Sequence, residues 1–361
     1  MRLSNLSEKL RVTARELLHA RLSQKTPRGS RSLGQEGVAL IIVLWIFIFL
    51  FAIAFNFSAN VREEAHAAQR FSEDTQGYYL AVAGFQRGLY EFLQPPQQQQ
   101  PGQTQTTPEK TPPGFFDGSW REENLGGGAF RVRLIDEGGK INLNRANEIL
   151  LQRIFTNLQI EEPRRSVLVD SILDWIDPDD LHRANGAETE YYQSLTPSYS
   201  ARNGPFSTVE ELLWVNGVTP ELFYGSSPAQ AAARGEPQRV GLRQIFTVDS
   251  PIDRVNLRTA PAEVIQALTG MPLEKSRAFV EERKKLSDKT INDLLPLLGL
   301  GAGDADMQMF VFTTPSVISI EAQGSYGSAA VPRRVKGIVR GGAGRAEFVR
   351  WIDRDSGPAQ D

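Results

Sequence analysis

The chain has no cysteine among its 361 residues, which removes disulfides, thiolate metal sites and a cysteine nucleophile together. That absence does not fix the compartment, because an oxidising one permits disulfides without requiring them. Histidine is nearly absent too, and His19, His66 and His182 stand isolated; only His182, next to Asp180, has polar company, and a surface place is expected for it. An excess of one charge is also missing. Lysine and arginine total 40 against 43 aspartate and glutamate, a net charge of −3, which leaves no basic footprint for general nucleic-acid binding. Gly-x-Ser-x-Gly, a Walker loop, HExxH and the dinucleotide fingerprint are not found. The chain is not expected to be an enzyme.

What is present begins with an apolar run. Val38 to Phe55 carries no charge and no proline, and as a helix it covers about 27 Å, close to the hydrocarbon thickness of a bilayer. No polar stripe interrupts it before Asn56, as a soluble helix of that length would require. Arg2, Lys9, Arg11, Arg15, Arg21, Lys25, Arg28 and Arg31 precede it, and mixed signs follow at Arg62, Glu63 and Glu64. That bias puts the N-terminus in the cytoplasm and everything after Asn56 across the membrane. A cleaved secretory signal has a shorter apolar core and a small-residue cleavage site. Here Ala65, Ala68, Phe71, Tyr78, Tyr79, Val82, Phe85, Leu89 and Phe92 continue at helical spacing, so one long helix is expected to Leu93.

Gln35-Glu36-Gly37-Val38-Ala39-Leu40 after a basic leader resembles the class III signal of type IV pilins and pseudopilins. The resemblance implies that a prepilin peptidase cuts between Gly37 and Val38 and methylates the new N-terminus. It also implies a single-pass inner-membrane protein with its soluble part in the periplasm. Most pilins carry glutamate at the fifth mature position, where this chain has Ile42. That departure is similar to K-type minor pseudopilins of type II secretion systems (GspK). A carboxylate in the bilayer must be paired, and a subunit without one suits the tip of a filament.

Downstream, residues 94–114 are rich in Gln, Pro, Thr and Gly and read as a low-complexity linker. Ala129 to Asp136 alternates apolar and charged residues and reads as a strand with one wet face. Further strands are expected at Ser316–Ala322, Val331–Val339 and Glu347–Asp353, with a mainly helical stretch between. The expected order is a cytoplasmic leader over 1–37, the transmembrane and pilin-type helix over 38–93, and the linker over 94–114. A small antiparallel sheet then draws on 115–142 and 306–361, with a helical insertion over 143–305. The fold class is α+β, pilin-like, its insertion SAM-like or helix-hairpin-helix-like. An internal echo between Lys140–Leu150 and Arg254–Ile265 suggests two related subunits, with Asn144 and Thr259 placed as N-caps.

Asn203 to Gly225, with Asp170 to Asp180 and Asn185 to Tyr192, closely resembles the K-type family and extends the likeness over nearly the whole chain after Gly37. Ser207 or Thr208 is placed as a cap for a helix carrying Glu210 and Glu211 in its first turn, and Trp175 and Trp214 are expected in the core. The resemblance implies assembly with I- and J-type minor pseudopilins in a tip complex that nucleates the pseudopilus and serves export of folded proteins. The same phrases also look like helix-hairpin-helix DNA-binding units. Those use a Gly-x-Gly turn and nearby lysine or arginine on phosphates, whereas Val215–Pro220 and Leu268–Pro272 keep one glycine each and the surroundings are acidic. Nucleic acid is therefore not the expected partner.

Asp170, Asp174 and Asp177 fall on one helical face, and Asp179 and Asp180 follow Pro178. Carboxylates at a helix C-terminus oppose its dipole and repel one another, so something should offset them. Oxygen-only ligands suit calcium, which the family resemblance also implies, with Asp177, Asp179, Asp180, Glu188 and Glu190 as the candidate ligands. A solvated acidic loop paired with Arg164, Arg165, Arg183 or Arg202 is the other reading.

Overall fold

A computed structural model describes residues 35–94, 116, 118–235, 238–284, 295–299, 305–327, 331–342 and 344–353. The expected leader, apart from Gln35 to Gly37, and nearly all of the expected linker lie outside these residues. The chain divides into two compact units, residues 1–68 and 69–361. Helix α1 runs from Gln35 to Leu93, so its first part belongs to one unit and its second part to the other.

In the first unit, α1 presents large apolar side chains with no protein over them. Trp45 is 66% exposed and Phe51 73%, and this helix is long and apolar enough to cross a membrane. A helix in hydrocarbon needs that surface, because its backbone bonds are all internal and its side chains meet lipid.

In the second unit, Leu80, Ala81, Phe85 and Phe92 of α1 pack on one face of a five-stranded antiparallel sheet. Its strands are β1 (Arg121–Leu125), β2 (Gly128–Asp136), β7 (Val317–Tyr326), β8 (Arg333–Gly342) and β9 (Arg345–Asp353), in the order β1-β2-β7-β8-β9. Alternation sends Phe130, Val132 and Leu134 of β2 to the helix, the period-two pattern the sequence shows. The approach is close. A Cβ on Gly84 would sit 2.7 Å from the Phe130 ring, and one on Gly88 2.9 Å from Ile320 Cγ2.

Strand β2 ends at Asp136 opposite Ile318 of β7, so the chain leaves the sheet and returns at adjoining points. The intervening insertion holds short extended pairs β3 (Ile141–Asn142) with β4 (Phe246–Thr247), and β5 (Val255–Asn256) with β6 (Phe310–Val311), both parallel. Its helices are α2 (Glu148–Asn157), α3 (Arg164–Ile176), α4 (Thr189–Gln193), α5 (Pro220–Tyr224), α6 (Pro228–Arg234), α7 (Leu242–Ile245), α8 (Ala262–Thr269) and α9 (Leu273–Lys284). The echo is structural. Asn142 and Asn256 follow equivalent positions, each with its Oδ1 accepting from the backbone N–H two residues on and its Nδ2 donating across to a carbonyl, Ser250 or Thr313. Both arms share one hydrophobic core.

The expected caps are corrected. Asn147 caps α2 by accepting from Leu150 N, while Asn144 brackets the Phe206 backbone through its N–H and C=O. Pro261 takes the N-cap position of α8, and Thr259 Oγ1 donates instead to the buried Asp136 carboxylate. Asn and Thr are versatile enough to serve a tertiary bond in place of a local one.

The sheet's other face carries a charged group, and hydrogen bonds from Glu137 and Arg350 reach the insertion beside it. Glu321 of β7 meets Arg133 at 2.6 Å and Lys336 at 3.1 Å, while Glu137 accepts from the Ser319 and Thr247 hydroxyls and lies 3.7 Å from Lys140. Arg350 of β9 donates to the Ser207 carbonyl at 2.7 Å. Burial alone would push Glu137 and Glu321 up; the lysines and Arg133 overcome it and hold both below the ordinary carboxylate range.

Candidate metal centre

The acidic loop hangs from helix α3. Leu168, Val169, Ile172 and Trp175 turn that helix into the core, with Trp175 edge-on to Tyr192 at 5.2 Å and stacked on Phe206 at 6.2 Å. The same rotation carries Asp174 inward, where it is fully buried. Asp174 accepts from the Arg183 backbone N–H through both oxygens, at 3.3 and 3.1 Å, and Asp170 accepts from Asn185 N and Nδ2 at 3.0 Å each. Two carboxylates on one helix face thus pull the loop back across α3. Gly186 makes this possible: a Cβ there would stand 1.8 Å from Asp174 Oδ2.

The fold brings Asp174, Asp177 and Glu188 together, with one oxygen of each within 4.8 Å of the others. Glu188 is 4% exposed, and both its oxygens are buried without a hydrogen-bond partner, as is Asp177 Oδ1. An unpaired buried carboxylate is costly. Burial, then the charges of Asp174, Asp177, Asp180 and Asp179, pushes Glu188 up to about 7. Burial and Asp179 also raise Asp177, and burial raises Asp174 against the pull of the Arg183 N–H.

Of the five residues the sequence suggests, Asp177 and Glu188 are in this group. Asp179 Oδ1 accepts from Leu181 N at 2.8 Å, and Asp180 Oδ1 accepts from Asn203 Nδ2 at 2.9 Å, so each has an oxygen engaged beside the cluster. Glu190 lies in the first turn of α4 and is outside the group. Asp174 is the residue sequence reasoning left out of the ligand set. Its signal is its place three residues before Asp177 on α3, with a single glycine, Gly186, in the loop that closes on it.

Of the four arginines offered as countercharges, only one faces the cluster. Arg183 Nε is 3.4 Å from Asp174 Oδ1, while Arg164 reaches Thr219, Arg165 pairs with Glu162, and Arg202 with Glu211 and Ser207. His182 is exposed, its Nδ1 in contact with the Arg183 carbonyl at 3.0 Å. Trp214 corrects an expectation: it is 51% exposed. Val209–Trp214 is a 3-10 helix, whose three-residue turn aligns Val209, Leu212 and Val215 and turns Trp214 outward. Glu211 still reaches back to the Ser207 and Thr208 N–H groups.

Residues 131–232, which include this site, match the family model described as type II secretion system (T2SS), protein K. A curated relative named type II secretion system protein K from Pectobacterium carotovorum is 23% identical over 276 residues, 70% of this chain and 76% of the relative. Another of that name from Aeromonas hydrophila is 29% identical over 156 residues, 41% of this chain and 45% of the relative. A chain in the crystal structure of the GspK-GspI-GspJ complex of enterotoxigenic Escherichia coli aligns with 82% of this chain and 100% of its own length, at 14% identity and a TM-score of 0.49.

Proposed function

We infer that this chain is a member of the type II secretion system protein K family, a minor pseudopilin whose work is assembly and not catalysis. The observation that carries the reading is one chain holding both a bare apolar helix and a sheet-borne domain that matches the family model over residues 131–232. The helix anchors the subunit in the inner membrane, with the sheet and insertion on the periplasmic side, an orientation that the lysine and arginine bias of the leader supports. Cleavage between Gly37 and Val38 by a prepilin peptidase leaves the anchor intact and exposes a new N-terminus for methylation. Minor pseudopilins of the I and J types are the partners, meeting the apolar helix and the sheet edge, and the insertion sits at the filament tip.

The acidic centre belongs to the same reading. Oxygen donors alone, with three of those oxygens buried and unpartnered, fit a hard cation, and calcium accepts such a set in flexible geometry. Asp174, Asp177 and Glu188 would hold it. Bound there, it neutralises the crowded carboxylates and ties the end of α3 to the start of α4.

The test is secretion by the host from which the chain comes. Deleting the gene should leave folded exoproteins in the periplasm, and the wild-type gene should restore them to the medium. Secretion unaffected by the deletion would overturn the reading.

A further inference from the structure

We propose that Arg183 is a countercharge built into the acidic centre, its guanidinium covering Asp174 when no cation is bound and swinging out to solvent when a divalent cation arrives. This rests on the calcium reading above. Arg183 has two separate attachments to Asp174. Its backbone N–H donates to both carboxylate oxygens, and its side chain adds a weaker charge contact at 3.4 Å. The side chain is 42% exposed while Asp174 is fully buried, so the guanidinium can leave without opening the core and without releasing the loop.

The charges around it make the exchange one-sided. The Arg183 guanidinium stands against Asp174, which lies within 4.8 Å of Asp177 and Glu188 by one oxygen each. Glu188 has both oxygens buried and unpartnered. Arg183 therefore offsets part of the cluster and leaves Glu188 for the cation. Arg164, Arg165 and Arg202 are engaged elsewhere, so among these no second arginine takes over if Arg183 is removed. A dication entering the cluster must both displace the Arg183 pairing and tolerate its positive charge nearby. Each effect lowers affinity, so Arg183 sets the cation concentration at which the loop is tied down.

Calcium titration calorimetry of the full-length protein in detergent micelles, for wild type, Arg183→Gln, Arg183→Lys and Glu188→Gln, tests this. Arg183→Gln should bind calcium about three- to tenfold more tightly, the scale of a half-exposed charge next to a dication. Arg183→Lys, which keeps the charge, should stay close to wild type, and Glu188→Gln should lose binding. In chelator, Arg183→Gln should melt below wild type, and saturating calcium should close the gap. Wild type that binds calcium, with Arg183→Gln binding equally or more weakly, overturns the role of Arg183 and leaves the calcium reading standing. Silence in both wild type and Arg183→Gln overturns the calcium reading and the proposal with it.

Discussion

At the scale of single residues, the charged seam on the face of the sheet away from α1 is the feature with the clearest consequence. Glu321 sits between Arg133 and Lys336, and Glu137 between hydroxyls and lysines, each titrating below its ordinary value of 4.5. A carboxylate with a lowered folded value adds stability that is complete above about pH 4.5 and is lost as pH falls through the lowered value. Glu321→Gln should therefore cost about 2–3 kcal/mol at neutral pH, as for one partner removed from a largely buried pair. It should also flatten the fall in stability below pH 4.5. Urea unfolding of both proteins from pH 7 to pH 3 measures this, and parallel curves would contradict it. None of this seam is legible in the sequence, because its members lie up to about two hundred positions apart and no spacing rule joins them. Asp177 and Glu188 were legible because proline and turn chemistry keep them close. Asp174 was hidden by its place within a helix, where a carboxylate ordinarily faces water.

At the scale of elements, the contact between α1 and the sheet depends on missing side chains. Gly84 and Gly88 read in sequence only as weak points in a helix. In the fold they are where Phe130, Val132, Leu134 and Ile320 close on the helix backbone. Gly88→Leu should lower stability by about 2–3 kcal/mol, the cost of overpacking a closed core. Tyr90→Leu, on the exposed face of the same helix, should change it by less than about 0.5 kcal/mol. Thermal unfolding of the two variants in detergent compares them, and equal shifts would mean that β2 and β7 do not close on α1 at Gly88. Strands β2, β7, β8 and β9 were anticipated because alternation marks a half-buried strand. Strand β1 was not: Arg-Glu-Glu-Asn-Leu lies at a sheet edge with nearly all its side chains in water, and pairing with β2 alone makes it a strand. The two-residue pairs β3–β4 and β5–β6 are likewise products of tertiary contact, though the echoed Asn-Leu phrases marked where two of the strands would be.

At the scale of the whole molecule, sequence and structure converge from different directions. The apolar run and its basic leader are properties of composition, and they mark a helix long and apolar enough to cross a membrane without reference to any fold. The insertion is a property of topology: Asp136 pairs with Ile318, so the helical stretch can be added to the sheet without breaking it. One helix, Gln35–Leu93, contains both the apolar run and the residues that pack on the sheet. The most direct test is the intact mass of the membrane-extracted protein, with and without a co-expressed prepilin peptidase. Cleavage after Gly37 predicts loss of residues 1–37 only when the peptidase is present, with or without one added methyl group on Val38. An unchanged mass in both samples would contradict it, leaving an ordinary signal anchor.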